Sequence, residues 1–240
     1  MQRHVLINGL SIGSGGGYTV GVELWKGIAR ARPSWRVTLA LVGGSKLHEE
    51  ARDEQAPENC TILWAPSEAA AYGSRGRYER RELAAFAARE AAGAILQLNG
   101  MVVRGMPIPT LAHCQDPWPL RPEAWNGWKD RLKAWAKRRQ LRRAFREAAF
   151  VGWTSAYLRD MMIAGLGLTP PHGEVFYNGM PEDLLRRSTQ VDAYDQRPLR
   201  LVTISNVNAY KRQSLVIEAL PGLVKHPGLE KLHYHIAGHV

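Results

Sequence analysis

Two kinds of residue in this chain could do chemistry: glycines that let a ligand reach the backbone, and a few polar side chains at the ends of apolar runs. The glycine-rich loop Gly13-Ser-Gly-Gly-Gly17 follows the apolar run Val5-Leu-Ile7 and precedes a helical pattern. Glycine permits close approach of a ligand, and the unpaired N–H groups of a helix start attract an anion. The spacing is not a dinucleotide fingerprint. Gly13 and Gly15 fit the first two positions of G-x-G-x-x-G, but the third falls on Tyr18. The second strand ends Leu41-Val-Gly-Gly44, with no acid to hold a ribose, so a nicotinamide cofactor is not expected. A tight turn without a ligand is the competing reading of the loop. His113 and Asp116 stand at the carboxyl end of a central apolar run. A neutral imidazole there can accept a hydroxyl's hydrogen bond or act as a base. Asp116, before Pro117, equally suits the start of a turn. His233, His235 and His239 are spaced like metal ligands, the first two on one strand face. No paired acids with glycosidase spacing, no G-x-S-x-G and no Ser-His-Asp order occur.

The elements that must position these residues alternate strand and helix. After the glycine loop, Val20, Leu24, Ile28 and Ala31 form one helical stripe. Strands are expected over Trp35–Val42, Thr61–Trp64, Ala94–Leu98, Pro109–His113, Phe150–Trp153 and Glu174–Tyr177. Residues 46–54 read as a short polar helix, 65–77 as a mobile loop, and Arg77–Ala92 as a helix. Residues 128–148 form a long basic helix. Trp128, Leu132 and Trp135 share a stripe, and Leu141, Phe145 and Ala148 continue an apolar face. That stripe is expected to pack on the core, although Trp beside Lys and Arg also suits an anionic membrane surface. Thr154-Ser155 caps the next helix. After the polar segment 181–198, the apolar run Leu199–Ile204 begins anew. A helix over Lys211–Val224 offers Leu215, Ile217, Ala219 and Leu220 to a core, and a strand follows at His233–Ala237. The alternation predicts an α/β fold, a Rossmann-like parallel sheet with helices on both faces, followed by an incomplete second Rossmann-like unit. The expected domains are 1–180, a linker 181–198, and 199–240. A strand, a helix and a strand are too little for a stable domain, so the last part reads as truncated or as an extension of the first.

Composition bounds the partners. The 240 residues carry a net charge of +10 at pH 7, which favours anionic ligands. Two cysteines, Cys60 and Cys114, are too few for a disulfide framework. No apolar run is long enough to span a bilayer, and a strand starting at residue 5 leaves no room for a leader, so a cytoplasmic location is expected. The charge alone would allow nucleic acid, but no helix-turn-helix or zinc spacing supports it, and none is expected.

Four stretches in order carry a resemblance: the glycine loop before the helix with Glu23-Leu24; Gln115-Asp-Pro-Trp-Pro119; Phe150-Val-Gly-Trp-Thr-Ser155; and Val175-Phe-Tyr-Asn-Gly-Met180, leading to Val202-Thr-Ile-Ser-Asn-Val-Asn-Ala-Tyr-Lys211. Together they resemble the nucleotide-sugar glycosyltransferases of GT-B fold, and most closely glycosyltransferase family 4, over the amino-terminal domain and the start of the carboxyl-terminal one. The resemblance implies transfer of a sugar from a nucleoside diphosphate to an acceptor hydroxyl with retained configuration. No cofactor or metal is implied beyond the donor substrate. It gives Gly15, Gly16, Gly17, Asn206, Lys211 and Arg212 to the donor diphosphate and sugar, and His113, or Gln115 in its place, with Asp116 to the reacting sugar. Cations and amides aimed at the leaving diphosphate would stabilise its growing charge. The implied acceptor is a carbohydrate or a lipid-linked one, with peripheral contact at the inner face of the membrane through helix 128–148. The sequence departs from the family at Asn206, where an Arg is usual, and the family's Glu-x7-Glu donor motif would fall beyond residue 240. A non-catalytic Rossmann-like module that binds a nucleotide or acidic ligand is the alternative.

Overall fold

The computed structural model describes residues 3–12, 16–44, 56–179, 199–205, 207 and 211–238. They belong to two compact units: Met1–Leu120 with Gly127–Asn178, and Arg121–Asn126 with Gly179–Val240.

The large unit holds a seven-stranded sheet. Its strands are β1 (His4–Asn8), β2 (Arg36–Val42), β3 (Cys60–Ala65), β4 (Ala94–Gln97), β5 (Thr110–Cys114), β6 (Phe150–Trp153) and β7 (Gly173–Val175). The order is β3-β2-β1-β4-β5-β6-β7, and every neighbouring pair is parallel. The predicted Rossmann-like α/β architecture is thus the observed one. A parallel sheet must be covered on both faces, and the pleat of β1 shows how: successive side chains point to opposite sides. Leu6 joins Ala40, Leu83, Ala87 and Ile95 in one cluster, while Ile7 joins Val22, Trp25, Ala29, Leu39 and Leu41 in another. A third cluster packs Cys114, Val151 and Trp153 against Leu141, Phe145, Leu158 and Met162.

The covering helices are α1 (Gly16–Ala31), α2 (Tyr72–Tyr78), α3 (Ala84–Arg89), α4 (Gly127–Glu147) and α5 (Ala156–Leu166). Ser155 caps α5 as expected, its hydroxyl accepting from Leu158 N at 3.1 Å. Several expectations are corrected. The buried stripe of α1 is Val22, Trp25 and Ala29, about one position around from Val20, Leu24, Ile28 and Ala31; Ala31 is exposed. The cause is close packing at Gly21, where a Cβ would stand 2.9 Å from Ile12 and 3.0 Å from Leu98. Residues 67–78 are not a loop. A short 3-10 turn, Ser67–Ala70, leads into α2, and a π-helical turn, Glu79–Leu83, joins α2 to α3. Gly73 and Gly76 sit inside α2, within the stretch expected as a loop. In α4, Leu141, Phe145 and Ala144 are buried as a packed face requires. Trp128, Leu132 and Trp135 are not: they are 70%, 57% and 59% exposed, so the expectation that the stripe faces the core fails there. At 3.6 residues per turn the two sets lie on different faces of α4, roughly 130° apart, and buried Ala134 already shares the face of Leu141 and Phe145.

The small unit contains a two-stranded parallel sheet, β8 (Arg200–Ile204) with β9 (His233–Ala237), and helix α6 (Gln213–Leu223). Leu215 and Ile217 are each 51% exposed and Ala219 is exposed, contrary to the expectation that they enter a core. Two strands and one helix offer too little apolar surface to cover them. The expected helix over 46–54 and the linker 181–198 lie outside the described residues.

Candidate functional site

Open parallel sheets place ligands beyond the carboxyl ends of their strands, at the point where the strand order reverses. Here that point lies between β1, which runs on to β2, and β4, which runs on to β5. Asn8 closes β1 and Gln97 closes β4, and the two are register partners. Both are buried, and Asn8 Nδ2 donates to Gln97 Oε1 at 2.8 Å. The same amide nitrogen donates to Glu79 Oε1, also at 2.8 Å. Glu79 stands in the π-helical turn, a local irregularity that re-aims side chains and often marks a working site. Burial pushes its carboxyl above the usual range, while the Asn8 bond, Arg75 and Arg80 pull it back. None of Asn8, Glu79 and Gln97 stood out in the sequence. Only the strand order brings them together, and the one local signal, an apolar run closing on a polar residue, is common.

Around this trio stand several residues expected from the sequence. Gly16 and Gly17 open α1; a Cβ at Gly16 would meet nothing within 4 Å, and one at Gly17 only Ile12 at 3.7 Å. Internal packing therefore does not demand glycine at either position. Gly15 lies outside the described residues. Asn99-Gly100 forms the expected turn after β4. Gly100 has φ +70°, and a Cβ there would approach Cys114 Sγ to 2.8 Å, so both backbone and packing require glycine. Gln115 Nε2 donates to Leu98 O at 3.2 Å, joining the ends of β5 and β4.

His113 and Asp116 differ in character. His113 is buried, with Gly152 leaving room for its ring, and burial holds its pKa below the usual value. The neutral imidazole at pH 7 is the form that a hydrogen-bond acceptor or a base needs. Asp116 turns its Oδ1 back to accept from Trp118 N at 2.9 Å, and its Oδ2 lies 3.6 Å from Lys137 Nζ. The carboxylate is thus engaged in the turn that its place before Pro117 suggested.

In the small unit, Lys211 and Arg212 precede α6, and both are exposed. Arg212 has φ +53°, an unusual conformation for a residue with a side chain and a local cost of about 1–2 kcal/mol. Buried Gln213 donates to Ser205 Oγ at 2.9 Å and ties the start of α6 to the end of β8. Asn206 lies outside the described residues, as does His239. The rings of His233 and His235 stand 6.3 Å apart, and among the described residues no group of three or more His, Cys, Asp or Glu is placed to hold a metal ion. Among the same residues no helix is long and apolar enough to cross a membrane.

No protein-family profile and no curated protein sequence matches the chain. Solved structures do match in fold. The lipopolysaccharide outer core galactosyltransferase WaaB, in its apo form, is similar with a TM-score of 0.56 at 11% identity, over 98% of this chain and 60% of its own. The UDP-N-acetylglucosamine 2-epimerase from Rickettsia bellii is similar with a TM-score of 0.55 at 14% identity, over 100% of this chain and 70% of its own. The chain thus spans 60% of the length of the galactosyltransferase. The likeness shows a shared fold, the GT-B type.

Proposed function

We propose that this chain comprises the acceptor side, with the start of the donor side, of a glycosyltransferase that moves a sugar from a nucleoside diphosphate to an acceptor hydroxyl with retention, of the family 4 kind. The observation that carries the reading is the switch point itself. Glycine-started α1, the buried Asn8–Glu79–Gln97 trio and the end of β5 meet there, in a fold that a galactosyltransferase and a UDP-sugar epimerase share. On this reading the amides of Gly15, Gly16 and Gly17 approach the donor. Lys211 and Arg212, with Asn206, hold its diphosphate and offset the charge that grows as the bond to the sugar breaks. His113 accepts a hydrogen bond from the sugar, and Asp116 orders the loop beside it. The positive φ of Arg212 supports its role, since strain of this kind gathers at binding sites.

The reading includes a place at the inner, cytoplasmic face of a membrane. Trp128, Leu132 and Trp135 lie on one exposed stripe of α4, with Lys129 over the Trp128 ring and Arg139 over that of Trp135. Exposed indoles among cations suit an anionic lipid surface. The alternative, a nucleotide-binding module without catalysis, is favoured by Asn206 where the family has Arg.

Thermal unfolding with a panel of UDP-, GDP- and ADP-sugars tests the reading, because a ligand that binds only the folded chain raises Tm by mass action. We expect one sugar nucleotide to raise Tm, and Lys211→Ala to remove the shift. If the chain transfers sugar, the same variant lowers turnover at least about ten-fold, or 1.4 kcal/mol. A panel without any shift refutes the donor reading, and a shift without turnover selects the non-catalytic module.

A further inference from the structure

A cavity of about 350 Å³ opens beside the switch point in the large unit, lined by Gln97 and Glu79, by α2, by residues 101–104 and by Gln140 and Arg143 of α4. The hydrogen bonds beneath it have a single direction. Leu10 N donates to Asn8 Oδ1 at 3.1 Å, which turns the Asn8 amide nitrogen toward Glu79 and Gln97. Gln97 Oε1 must then be the acceptor, and its Nε2 is left over. Gln97 is fully buried, and among the described residues its Nε2 has no hydrogen-bond partner. A buried donor left unpaired is costly, and an acceptor on a ligand in the cavity would recover that cost. Gln140 repeats the pattern with opposite polarity. Its Nε2 donates to the Tyr72 hydroxyl, and its Oε1 is buried without a partner among the described residues. One site wants an acceptor and the other a donor, and hydroxyl groups supply both.

The walls add charge. Arg75, Arg80, Arg104 and Arg143 all line the cavity. Arg75 is held over the Tyr72 ring at 5.5 Å, and Arg143 Nε lies 3.2 Å from Glu147. Four arginines against one carboxylate, Glu79, among the lining residues make the cavity cationic even with Arg143 paired to Glu147, and the planar fork of arginine matches phosphate oxygens in pairs.

We propose that this cavity binds a polyol carrying a phosphate group beside its hydroxyls, and that this molecule is the acceptor; the second half of the inference rests on the glycosyl-transfer reading above. Gln97 and Gln140 take the hydroxyls and the arginines take the phosphate. A soluble sugar phosphate and a phospholipid head group present the same chemistry.

Calorimetric titration of the chain with glucose 1-phosphate, glucose 6-phosphate and glycerol 3-phosphate tests this, with glucose and inorganic phosphate as separate controls. A second arm uses phosphatidylcholine vesicles containing phosphatidylglycerol or, at equal charge, phosphatidylserine. Arg80 and Arg104 are both exposed, so the double variant Arg80→Ala, Arg104→Ala leaves the core intact. We expect a polyol phosphate to bind at least about ten-fold tighter than either control, and the double variant to lose about ten-fold or more. Saturating UDP should not displace it. A soluble phosphate that meets these conditions identifies the soluble source. Preference for phosphatidylglycerol vesicles alone, lost in the double variant, identifies the head group. Failure in both arms, binding indifferent to the double variant, or displacement by UDP overturns the proposal. The donor assay with Lys211→Ala is read separately, so loss of this inference and loss of the transferase reading are distinguishable.

Discussion

Replacing Asn8 with Asp changes one atom type at the centre of the switch point and almost nothing of the shape. Leu10 N keeps its acceptor at 3.1 Å. The two 2.8 Å bonds from Nδ2, to Glu79 Oε1 and Gln97 Oε1, become oxygen–oxygen contacts. Losing the bond to the charged partner costs about 1.5–3 kcal/mol and losing the neutral one about 0.5–1.5 kcal/mol, so Asn8→Asp should destabilise by roughly 2–4.5 kcal/mol at pH 7. The penalty depends on pH with a definite sign. Burial already raises the Glu79 carboxyl above its usual range, so its stabilising share is full below the unfolded value and fades as pH rises through the folded one. A second carboxylate raises the pair further, and one shared proton restores a bond between the two. Each pH unit over which the folded variant holds that extra proton recovers about 1.4 kcal/mol. Urea unfolding of parent and variant at pH 5, 6 and 7 measures this. A penalty below about 1 kcal/mol at pH 7, or one equal at pH 5 and 7, would refute the reasoning, since these bonds could not then be what holds the site.

Three further outcomes follow from the same packing. Gly100→Ala should cost about 2–4 kcal/mol in urea unfolding, from a positive φ together with a 2.8 Å approach to Cys114 Sγ. Trp128→Ala with Trp135→Ala should change stability by no more than about 1 kcal/mol in total, because both rings are exposed, yet should weaken co-sedimentation with anionic vesicles; unchanged sedimentation would remove α4 from membrane contact. Burial pushes the thiols of Cys114 and Cys60 to about 12 and about 11, so neither should react with Ellman's reagent at pH 8 until urea unfolds the chain, and a fast native reaction would contradict the packing.

Much of the fold was legible because it is written in short-range patterns. Short apolar runs mark most of the strands, Ser155 marks a helix start, and strand–helix alternation implies a parallel sheet. The misreadings have physical causes as well. Gly73 and Gly76 look like loop signals, yet α2 contains them, because the buried turn that follows, with Glu79 and Leu83, anchors the helix. Trp128 and Trp135 look like core residues by periodicity, which reports that a stripe exists and not what lies opposite it.

What the sequence determined by itself is therefore the class of elements, their order, and the glycine-started helix and strand ends at which a ligand would be sought. Strand order was decided only by the tertiary structure. The hydrogen bonds that set β1 between β2 and β4 join residues far apart along the chain, and no local pattern encodes them. That pairing brings Asn8 onto Gln97 across 89 positions, and Asn8 also bonds Glu79, which puts two unremarkable polar residues, Glu79 and Gln97, in the wall of a cationic cavity with Asn8 joining them beneath it.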